Sequence, residues 1–465
     1  MKNINIEKLF KSKNTRNIGI LIALILLFYL LISVYFSNHF FFNTVINGAD
    51  VSLKAHGDAD NIIRSYIKDY KLQLVERNGE VEEIIGQDIG VEYNEKISIS
   101  KIYHRKNSFK WIVSVFKNQN YYVKDLFIYN EDKLENKIKQ LSCLNGVSIE
   151  PKNVSFKYSN GSYEVVKEVY GNKINKDKLN EAIKMGISKG EKKLDLNEKF
   201  CYENPKYTLG SNKISKTKKL LNKYVSTKIT YTFGSKNEIL DGNMINEWLN
   251  VDENLEAVIN EKAVLGYVET LGKKYDTVGV SRNIKTSIDK IVEIKGGFYG
   301  WKIDRVDETI ALLKNIKAGE VLQKEPIYIQ KAVSRDKDDI GNTYVEINIT
   351  RQHLWFYKDG KLITQGAIVT GNPNRGNATP VGTYMLNYKQ KDAVLMGGPT
   401  YEAKVTYFMP FNGDIGIHDA SWRPSFGGDI YKRTGTHGCV NTPLHLAKII
   451  FDNIEDGTPI ICYEE

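Results

Sequence analysis

The feature that most restricts how this chain can fold is an uncharged stretch of 19 residues, Ile18–Phe36, close to the N-terminus. About 20 apolar residues in a helix are enough to cross the hydrocarbon core of a bilayer. Basic residues that flank such a span stay on the cytoplasmic side. Five of them precede the stretch: Lys2, Lys8, Lys11, Lys13 and Arg16. We therefore predict a cytoplasmic basic tail at 1–17, a transmembrane signal anchor at 18–36, and the bulk of the chain outside the cell.

A cleaved signal peptide is the alternative interpretation of the same stretch. The apolar run is longer than the apolar core of a typical signal peptide. The residues that follow it, Phe36–Phe40, also lack the small residues that a signal peptidase requires. The pattern therefore favours an uncleaved, single-pass anchor in the cell membrane.

The rest of the chain has the composition of folded domains. Of 465 residues, 42% are hydrophobic and 26% are charged, as in globular proteins, and the length predicts about three domains. The net charge of +9 favours contact with anionic wall polymers or lipid head groups. Nucleic acid is not expected as a partner, because no basic cluster is interleaved with aromatic residues. Four cysteines are too few for a disulfide scaffold, although Cys143 and Cys201 could pair outside the cell.

A weak repeat divides residues 44–325 into two related α+β modules. Asn175 and Asp304 are each predicted to cap the start of an amphipathic helix, and Gly190 and Gly319 to end it. Upstream of each helix, at 71–86 and at 228–242, two apolar runs predict a hairpin. We place the first module at 44–195 and the second at 196–325. An insertion near 100–127 in the first module contains aromatic residues that we interpret as core or interface residues: Trp111, Tyr121 and Tyr122.

Residues 326–341 form a polar stretch that we interpret as a linker or connecting loop. From Tyr344 onwards, short alternating apolar runs are separated by Gly, Pro and Asn, which is typical of strands and turns. Helical periodicity appears late, at Leu444–Phe451. The pattern predicts an all-β, sandwich-like domain at 342–463 with one short helix.

One cysteine of this last domain stands among small and polar residues. Cys439 follows His437 and Gly438, and His418 lies further upstream. A thiol with a pKa near ~8.5 is mostly protonated at neutral pH, so a cysteine nucleophile needs help to lose its proton. An imidazole with a pKa near ~6.5 suits that task. The residues by themselves therefore predict a cysteine nucleophile with a histidine base.

The stretch resembles the signature of the L,D-transpeptidases of the bacterial cell wall, a His followed at a restricted distance by Ser/Thr-His-Gly-Cys-x-Asn. Here 17 residues separate His418 from Thr436, and every fixed position of the signature is filled through Asn441. The resemblance continues at Thr370–Pro373, Thr379–Tyr384 and Asp456–Ile461. It therefore covers roughly residues 342–463, and it implies a β-sandwich fold for them.

The resemblance also implies roles for individual residues. Cys439 would be the nucleophile and His418 the general base, with its tautomer fixed by the backbone carbonyl of Asp419. His437 would have a supporting role, although an exchange of roles between the two histidines stays open. The backbone N–H groups of Gly438 and Cys439 would hold the oxyanion. Substrate-side residues are expected at six further positions. The candidate walls of the acyl-donor groove are Tyr407, Met409, Trp422 and Arg423, for which simple packing is an equally open role. Thr436 and Asn441 are expected to hold the shape of the loop beside the substrate by side-chain hydrogen bonds.

For the whole chain, the resemblance implies a membrane transferase of peptidoglycan biosynthesis that serves cell wall organisation and cell shape. The cysteine would take the acyl group of the third residue of a tetrapeptide stem, release D-Ala, and pass the acyl group to a neighbouring stem in a 3→3 cross-link. No metal or other cofactor is implied. Carbapenems are expected to acylate the cysteine. The two modules resemble peptidoglycan-binding modules, and a spacer role is equally open.

Four other functions fit parts of the sequence. An L,D-carboxypeptidase would use the same site with water as the acceptor. A sortase is also anchored and uses Cys and His, but its Thr-Leu-x-Thr before the cysteine is missing here. A papain-like hydrolase would place its Cys before its His, the reverse of the order found here. A non-catalytic wall-binding protein would tolerate the loss of Cys439, and the filled signature argues against it.

Overall fold

The computed structural model of the protein describes residues 13–103, 107–335, 338–396 and 402–465. Two compact units make up the chain. One consists of the residues up to Ser155 together with Val166–Ser211, and the other of Phe156–Val165 together with Asn212–Glu465. Most of the predicted basic tail, including Lys2, Lys8 and Lys11, lies outside the described residues.

The first unit begins with helix α1 (Lys13–Tyr35). Residues Arg16–Tyr35 of this helix have a mean hydropathy of 2.8, and only 6% of the stretch is buried in the protein. The length and composition are sufficient to cross a bilayer. The predicted apolar helix is therefore confirmed, whereas its position in a membrane stays a prediction.

The rest of the first unit mixes short helices and strands around one apolar core that includes Leu72, Ile84 and Ile183. Its strands are β1 (Thr44–Ile46), β2 (Ala49–Asp50), β3 (Lys71–Val75), β4 (Val81–Ile85), β5 (Glu92–Tyr93), β6 (Gln119–Tyr121), β7 (Phe127–Ile128) and, after two strands of the second unit, β10 (Lys193–Asp195). Its further helices are α2 (Ala59–Lys68), α3 (Ile99–Tyr103), α4 (Trp111–Phe116), α5 (Glu131–Lys139), α6 (Ser142–Asn145) and α7 (Lys176–Lys189).

The second unit opens with a module of similar composition, whose core includes Ile229, Val264 and Leu312. Its strands are β8 (Ser155–Ser159), β9 (Ser162–Val166), β11 (Lys228–Phe233), β12 (Lys236–Leu240), β13 (Leu249–Val251), β14 (Ala257–Ile259), β15 (Arg282–Lys285), β16 (Ile291–Ile294), β17 (Lys302–Ile303), β18 (Val321–Lys324) and β19 (Tyr328–Gln330). Its helices are α8 (Lys213–Val225), α9 (Gly242–Ile245), α10 (Glu261–Tyr275) and α11 (Arg305–Ala318).

The two modules repeat one local arrangement. In each, a hairpin is joined by a parallel third strand, β10 beside β3 in the first and β18 beside β11 in the second. The side chains of Asn175 and Asp304 accept backbone N–H groups at the starts of α7 and α11, and Gly190 and Gly319 end these helices in the left-handed conformation. The predicted hairpins, caps and stops are confirmed, because each depends on interactions within a few residues of sequence.

The C-terminal domain packs two sheets and a helix around a common core that includes Phe356, Met409 and Ile450. The first sheet has the order β22-β21-β20-β28-β23 and the second β24-β25-β26-β27. The strands are β20 (Tyr344–Asn348), β21 (His353–Lys358), β22 (Lys361–Ala367), β23 (Gly382–Met385), β24 (Gln390–Met396), β25 (Glu402–Asn412), β26 (Ile415–Asp419), β27 (Val440–Thr442) and β28 (Pro459–Tyr463). Helices α12 (Ile430–Thr434) and α13 (Leu444–Asn453) complete this β-rich domain.

The segment 326–341, interpreted from sequence as a linker or connecting loop, is packed against the second module. Its residues Tyr328–Gln330 form strand β19, which pairs with β17. The guanidinium of Arg335 lies 4.2 Å from the centre of the Trp301 ring and donates to the carbonyl of Tyr275 at 2.8 Å. The segment is therefore a structural part of the second unit, held by aromatic contacts that its polar composition did not indicate.

A buried arginine ties strand β15 to the residues just before β20. Arg282 donates to the carboxylate of Asp339 at 3.1 Å. It also donates to backbone carbonyls of Thr277, Val280, Tyr299 and Asp338, the last at 2.9 Å. The Arg282 side chain is 4% exposed, so these acceptors replace the water that its guanidinium loses on burial.

Replacement Arg282→Met is expected to lower the free energy of unfolding of the second unit by about 3–5 kcal/mol, because it leaves a buried carboxylate and several carbonyls unpaired. Guanidinium-induced unfolding of the full chain measures the effect. Lys285→Met is the control, since the Lys285 side chain is 72% exposed and its loss should cost less than about 0.5 kcal/mol. Equal effects of the two substitutions would contradict the prediction.

Candidate active site

Two neighbouring parallel strands bring the predicted catalytic residues to one surface. His418 lies on β26, and Cys439 comes directly before β27. In the register of this pair, Ile417 lies opposite Val440 and His418 opposite Asn441. Ile417 and Val440 point into the core. Because side chains alternate along a strand, His418, Asn441 and Cys439 share the opposite face.

That face forms the wall of a cavity of about 610 Å³. The cavity brings together both histidines and the cysteine of the signature, and also four predicted substrate-side residues. The predicted residues that line it are His418, Trp422, Arg423, Thr436, His437, Cys439 and Asn441. A cavity of this size with a few convergent polar groups is the usual form of a small-molecule or peptide site.

His418 is held as a neutral base. Its side chain is 4% exposed, and burial lowers its pKa below the ordinary value of 6.5 because the charged form loses its hydration. Its Nδ1 lies 2.8 Å from the backbone carbonyl of Asp419. Since a carbonyl can only accept, Nδ1 carries the proton and Nε2 keeps its lone pair. This is the contact expected for the Asp419 carbonyl, and its role in orienting His418 for catalysis stays a prediction.

The Asp419 carboxylate has a separate, structural task. It accepts the backbone N–H of Tyr407 at 2.7 Å, and Asp419 is 1% exposed. The hydroxyl of Thr442 donates to the carbonyl of His418 at 3.2 Å. These bonds fix the end of β26 to both neighbouring strands, so that the imidazole has little freedom to move.

Cys439 is a half-buried thiol. Its Sγ lies 3.5 Å from the carbonyl oxygen of Asp414. Burial raises the pKa of the thiol above its ordinary value, a hydrogen bond from the backbone of Gly416 opposes that rise, and the nearby charge of Asp414 adds to it. The resting cysteine is therefore a protonated thiol at neutral pH, and its chemistry depends on a base in the same cavity.

The loop before Cys439 is held by hydrogen bonds of Thr436. Its hydroxyl donates to the carbonyl of Cys439 at 2.6 Å and accepts the N–H of Gly438 at 3.0 Å. Gly438 has a φ of +121°, and a Cβ at this position would meet the Ile415 side chain at 2.9 Å. The loop therefore requires glycine at 438 for steric reasons.

The predicted oxyanion role of the Gly438 N–H needs correction. That N–H already donates to Thr436, and the carbonyl of Gly438 accepts the hydroxyl of Thr379 at 2.6 Å. Both backbone groups are thus used in holding the loop. An oxyanion at this site would need another donor, and the N–H of Cys439, the other donor expected from the resemblance, stays a prediction.

Two predicted groove residues lie elsewhere. Met409 is fully buried in the core, and Tyr407 is 8% exposed and packs in the same core. The residue between them, Phe408, lines the cavity because alternation along β25 turns it to the other face. Phe408 is the register partner of His418, with the rings 6.4 Å apart. The prediction for Tyr407 and Met409 as groove walls is therefore wrong.

Sequence reasoning also missed other lining residues, among them Tyr388, Gln390 and Asp414. A signal for Phe408 and Asp414 was present in the turn Asn412–Asp414, since a hairpin there places the residues before the turn opposite those after it. Tyr388 and Gln390 carry no local signal. They reach the cavity only because β24 pairs with β25.

Free thiols and one acidic cluster lie outside the cavity. Cys201 and Cys462 are buried, and Cys143 is half-buried; all are free, so Cys143 and Cys201 are not joined here. Within the described residues, Glu76, Glu82 and Cys143 are the group whose possible metal-ligand atoms lie within 4.8 Å of one another. The Glu82 carboxylate already accepts the N–H groups of Ser142 and Cys143, at 2.8 and 3.0 Å, which gives this cluster a structural role.

Comparison with known proteins agrees with this arrangement. Residues 342–462 match the family described as L,D-transpeptidase catalytic domain (YkuD). Residues 84–195 and 207–322 each match the family described as "Putative peptidoglycan binding domain". No curated protein matches the sequence.

Among solved structures, the chain is 34% identical to the Ldtfm–avibactam carbamoyl enzyme, over 54% of this chain and 99% of that one, with a TM-score of 0.45. It is also 34% identical to a cysteine-to-serine variant of the Enterococcus faecium L,D-transpeptidase, over 53% of this chain and 98% of that one, with a TM-score of 0.44. The E. faecium catalytic domain acylated by ertapenem is 41% identical, over 26% of this chain and 97% of that one, with a TM-score of 0.25. The chain therefore belongs to the L,D-transpeptidases, with the catalytic domain at its C-terminal end and peptidoglycan-binding domains before it.

Proposed function

We propose that this protein is a membrane-anchored L,D-transpeptidase that forms 3→3 cross-links in peptidoglycan through an acyl-enzyme on Cys439. The observation that carries the proposal is the state of His418. Its Nδ1 proton is committed to the Asp419 carbonyl, which leaves the lone pair of Nε2 for the cavity that Cys439 also lines. A neutral, fixed imidazole beside a protonated thiol is the pair that nucleophilic catalysis requires.

In the first half-reaction, His418 Nε2 takes the proton of the Cys439 thiol. The thiolate attacks the carbonyl carbon of the third stem residue, and the negative charge moves to the carbonyl oxygen, where the N–H of Cys439 donates to it. When this intermediate collapses, the C–N bond to D-Ala breaks and the imidazolium returns its proton to the leaving amine. The product is a thioester between Cys439 and the shortened stem.

In the second half-reaction, a side-chain amine of a neighbouring stem attacks the thioester carbonyl. His418 takes a proton from this amine, the C–S bond breaks, and the sulfur regains a proton from the imidazolium. The new amide joins two third-position residues, which is the 3→3 cross-link. Water in place of the amine would give a tripeptide stem, the carboxypeptidase outcome.

The test uses the full chain in lipid nanodiscs with disaccharide-tetrapeptide as the substrate. Mass spectrometry of the products is expected to show a dimer linked through third-position residues, together with free D-Ala. Tripeptide without dimer would replace the proposal with an L,D-carboxypeptidase. Unchanged substrate would contradict both, and would favour a non-catalytic wall protein.

We also propose that helix α1 is a single-pass signal anchor with its N-terminus in the cytoplasm and the catalytic domain facing the wall. The helix is long and apolar enough for one span, and basic residues precede it in sequence. The two matched modules would then hold peptidoglycan strands near the catalytic domain. Pull-down of the full chain with purified sacculi, before and after removal of the wall glycan by lysozyme, tests this binding.

Carbapenem acylation gives a prediction about the four thiols. A carbapenem is expected to add covalently to Cys439 and to leave the other three cysteines unmodified. Cys201 and Cys462 are fully buried, and burial raises the pKa of the Cys143 thiol to about 12. Peptide mass spectrometry after incubation with ertapenem identifies the site. Adducts on Cys143 at the same yield as on Cys439, or no adduct on Cys439, would contradict the prediction.

Arg423 is proposed to bind a carboxylate of the stem peptide. It lines the cavity beside His418, and its charge contributes to the lowered pKa of that histidine. Since a charged hydrogen bond is worth about 1.5–3 kcal/mol, Arg423→Gln is expected to raise KM by roughly 10- to 100-fold. Loss of the cation should also raise the pKa of His418, so the acid limb of the pH–rate profile moves to higher pH.

The control for Arg423 is Arg433→Gln, which removes an exposed arginine ten positions further on. This variant should keep both KM and the acid limb of the parent enzyme. A change in KM without movement of the acid limb would leave Arg423 as a binding residue that has no electrostatic effect on His418. No change in either quantity would contradict the proposed role.

A further inference from the structure

The insertion predicted near 100–127 carries a short apolar segment on the surface of the first unit. The segment Ser108–Phe116, called here the foot segment, consists of a 3₁₀ turn (Ser108–Lys110) followed by helix α4. Five of its nine residues are large, apolar and exposed: Phe109 (51%), Ile112 (49%), Val113 (54%), Val115 (44%) and Phe116 (88%). Contiguous apolar exposure of this kind marks a surface that another apolar phase covers.

The serine of helix α4 faces the protein instead. Ser114 is 1% exposed, and its hydroxyl donates to the carbonyl of Trp111 at 2.6 Å. The side chain of Asn43 donates to the carbonyl of Ser114 at 3.0 Å, and Asn107 caps the start of the turn by accepting the N–H of Phe109. The arrangement is the reverse of an ordinary surface helix, which turns its apolar residues inward.

The foot segment rests against helix α1. The ring of Tyr29 lies 6.2 Å from that of Phe109 and 5.7 Å from that of Trp111, and Phe36 stacks on Trp111 at 6.1 Å. The Tyr29 hydroxyl donates to the carbonyl of Phe109 at 2.5 Å, which satisfies a polar group within an apolar helix. Tyr29 lies six residues before the end of α1, a depth of about 9 Å at 1.5 Å per residue.

Lysines border the foot segment in the sequence. Among the described residues from 96 to 124 there are five lysines and no Asp or Glu: Lys96, Lys101, Lys110, Lys117 and Lys124. Lys110 and Lys117 flank α4 directly. Apolar and aromatic residues bordered by lysines are the composition of segments that lie in the interface of an anionic bilayer.

We propose that the foot segment is a second membrane contact, inserted into the outer face of the same phospholipid bilayer that α1 crosses. The proposal rests on the anchor proposed above, because the contact of Tyr29 with Phe109 and Trp111 places the foot at the depth of the last turns of α1. Insertion of Phe109, Ile112, Val113 and Phe116 between lipid chains, with lysines at the phosphate level, would fix the orientation of the first unit at the membrane surface. A single flexible anchor would leave that orientation free.

The test uses the full chain in nanodiscs of phosphatidylglycerol and phosphatidylcholine, with a photoreactive benzoylphenylalanine at one position at a time. Phe116→benzoylphenylalanine reports on the foot segment. Phe200→benzoylphenylalanine is the matched control, since Phe200 is a 68% exposed phenylalanine of the same unit outside the foot segment. Leu27→benzoylphenylalanine, in the middle of α1, reports separately on the anchor. Irradiation is followed by peptide mass spectrometry for lipid adducts.

We expect lipid adducts at positions 27 and 116, and at least tenfold fewer at 200. Adducts at position 27, with adducts at position 116 no more frequent than at position 200, would overturn the proposed membrane contact of the foot segment. The proposed anchor would then stand. No adducts at either 27 or 116 would overturn both. Cross-linking of position 116 to a second copy of the chain, seen as a dimer on a denaturing gel, would show that protein rather than lipid covers the segment.

Discussion

Replacement Cys439→Ser is expected to lower the rate of cross-link formation by at least a factor on the order of 10³, because a hydroxyl cannot replace the thiol as a nucleophile at this site. The substitution is nearly isosteric, so the hydrogen bonds of Thr436 to the backbone of residues 438 and 439 should keep the loop in place. The rate is measured as dimer formed from disaccharide-tetrapeptide under single-turnover conditions.

The control for this variant is the free energy of unfolding. It should change by less than about 1 kcal/mol, because the substitution exchanges one half-buried sulfur atom for oxygen. A second control is Cys143→Ser, which should retain the parent rate, since Cys143 lies in the first unit. A cross-linking rate of Cys439→Ser within tenfold of the parent rate would contradict an acyl-enzyme formed on Cys439. The loss of the ertapenem adduct in the same variant would show that both reactions use one sulfur.

Replacement His418→Gln is expected to lower the rate by about 10²- to 10⁴-fold, the usual contribution of a general base. Glutamine is a neutral polar side chain of similar length, so the substitution removes the base and keeps a polar group at the site. The pH–rate profile should change in shape as well. The pKa of His418 is lowered from 6.5, so the parent enzyme should lose activity only as the pH falls below that value.

In the His418→Gln variant, the rate should instead rise with pH through the alkaline range, because the thiol must ionise without a base. Burial raises the pKa of the Cys439 thiol above its ordinary value, so this rise should lie at higher pH than the ionisation of a free cysteine. His437→Gln is the comparison, and it should cost less than about tenfold, as His437 is exposed at the rim of the cavity. A larger loss for His437→Gln than for His418→Gln would exchange the roles of the two histidines.

The lowered pKa of His418 and the raised pKa of Cys439 have one physical origin, the removal of both groups from water. Desolvation favours the neutral form of each group, so the resting pair is thiol and imidazole rather than thiolate and imidazolium. Such a pair is unreactive until a substrate carbonyl is close enough for the thiolate to attack it as the proton moves to the imidazole. A protonated thiol also resists oxidation, because the thiolate is the form that oxidants attack.

Features that depend on neighbouring residues were predictable from the sequence alone. The apolar helix near the N-terminus, the caps at Asn175 and Asp304, and the stops at Gly190 and Gly319 each follow from contacts within about one helical turn. The Cys-His pair was recognisable because its glycine, threonine and asparagine stand next to it in the chain. Gly438 is required by its positive φ and by the Ile415 side chain.

The tertiary structure decided which side chains face the core and which face the cavity. Tyr407 and Met409 point into the core and Phe408 into the cavity, since the register of β25 against β26 sets the face and a shift of one residue would reverse it. The Gly438 N–H donates to the hydroxyl of Thr436, two residues away. No pattern in the sequence indicated that this N–H would already have an acceptor. Only the fold brings the foot segment against Tyr29, some 80 positions earlier, because contacts between distant residues depend on how the whole chain packs rather than on propensities that any short stretch carries.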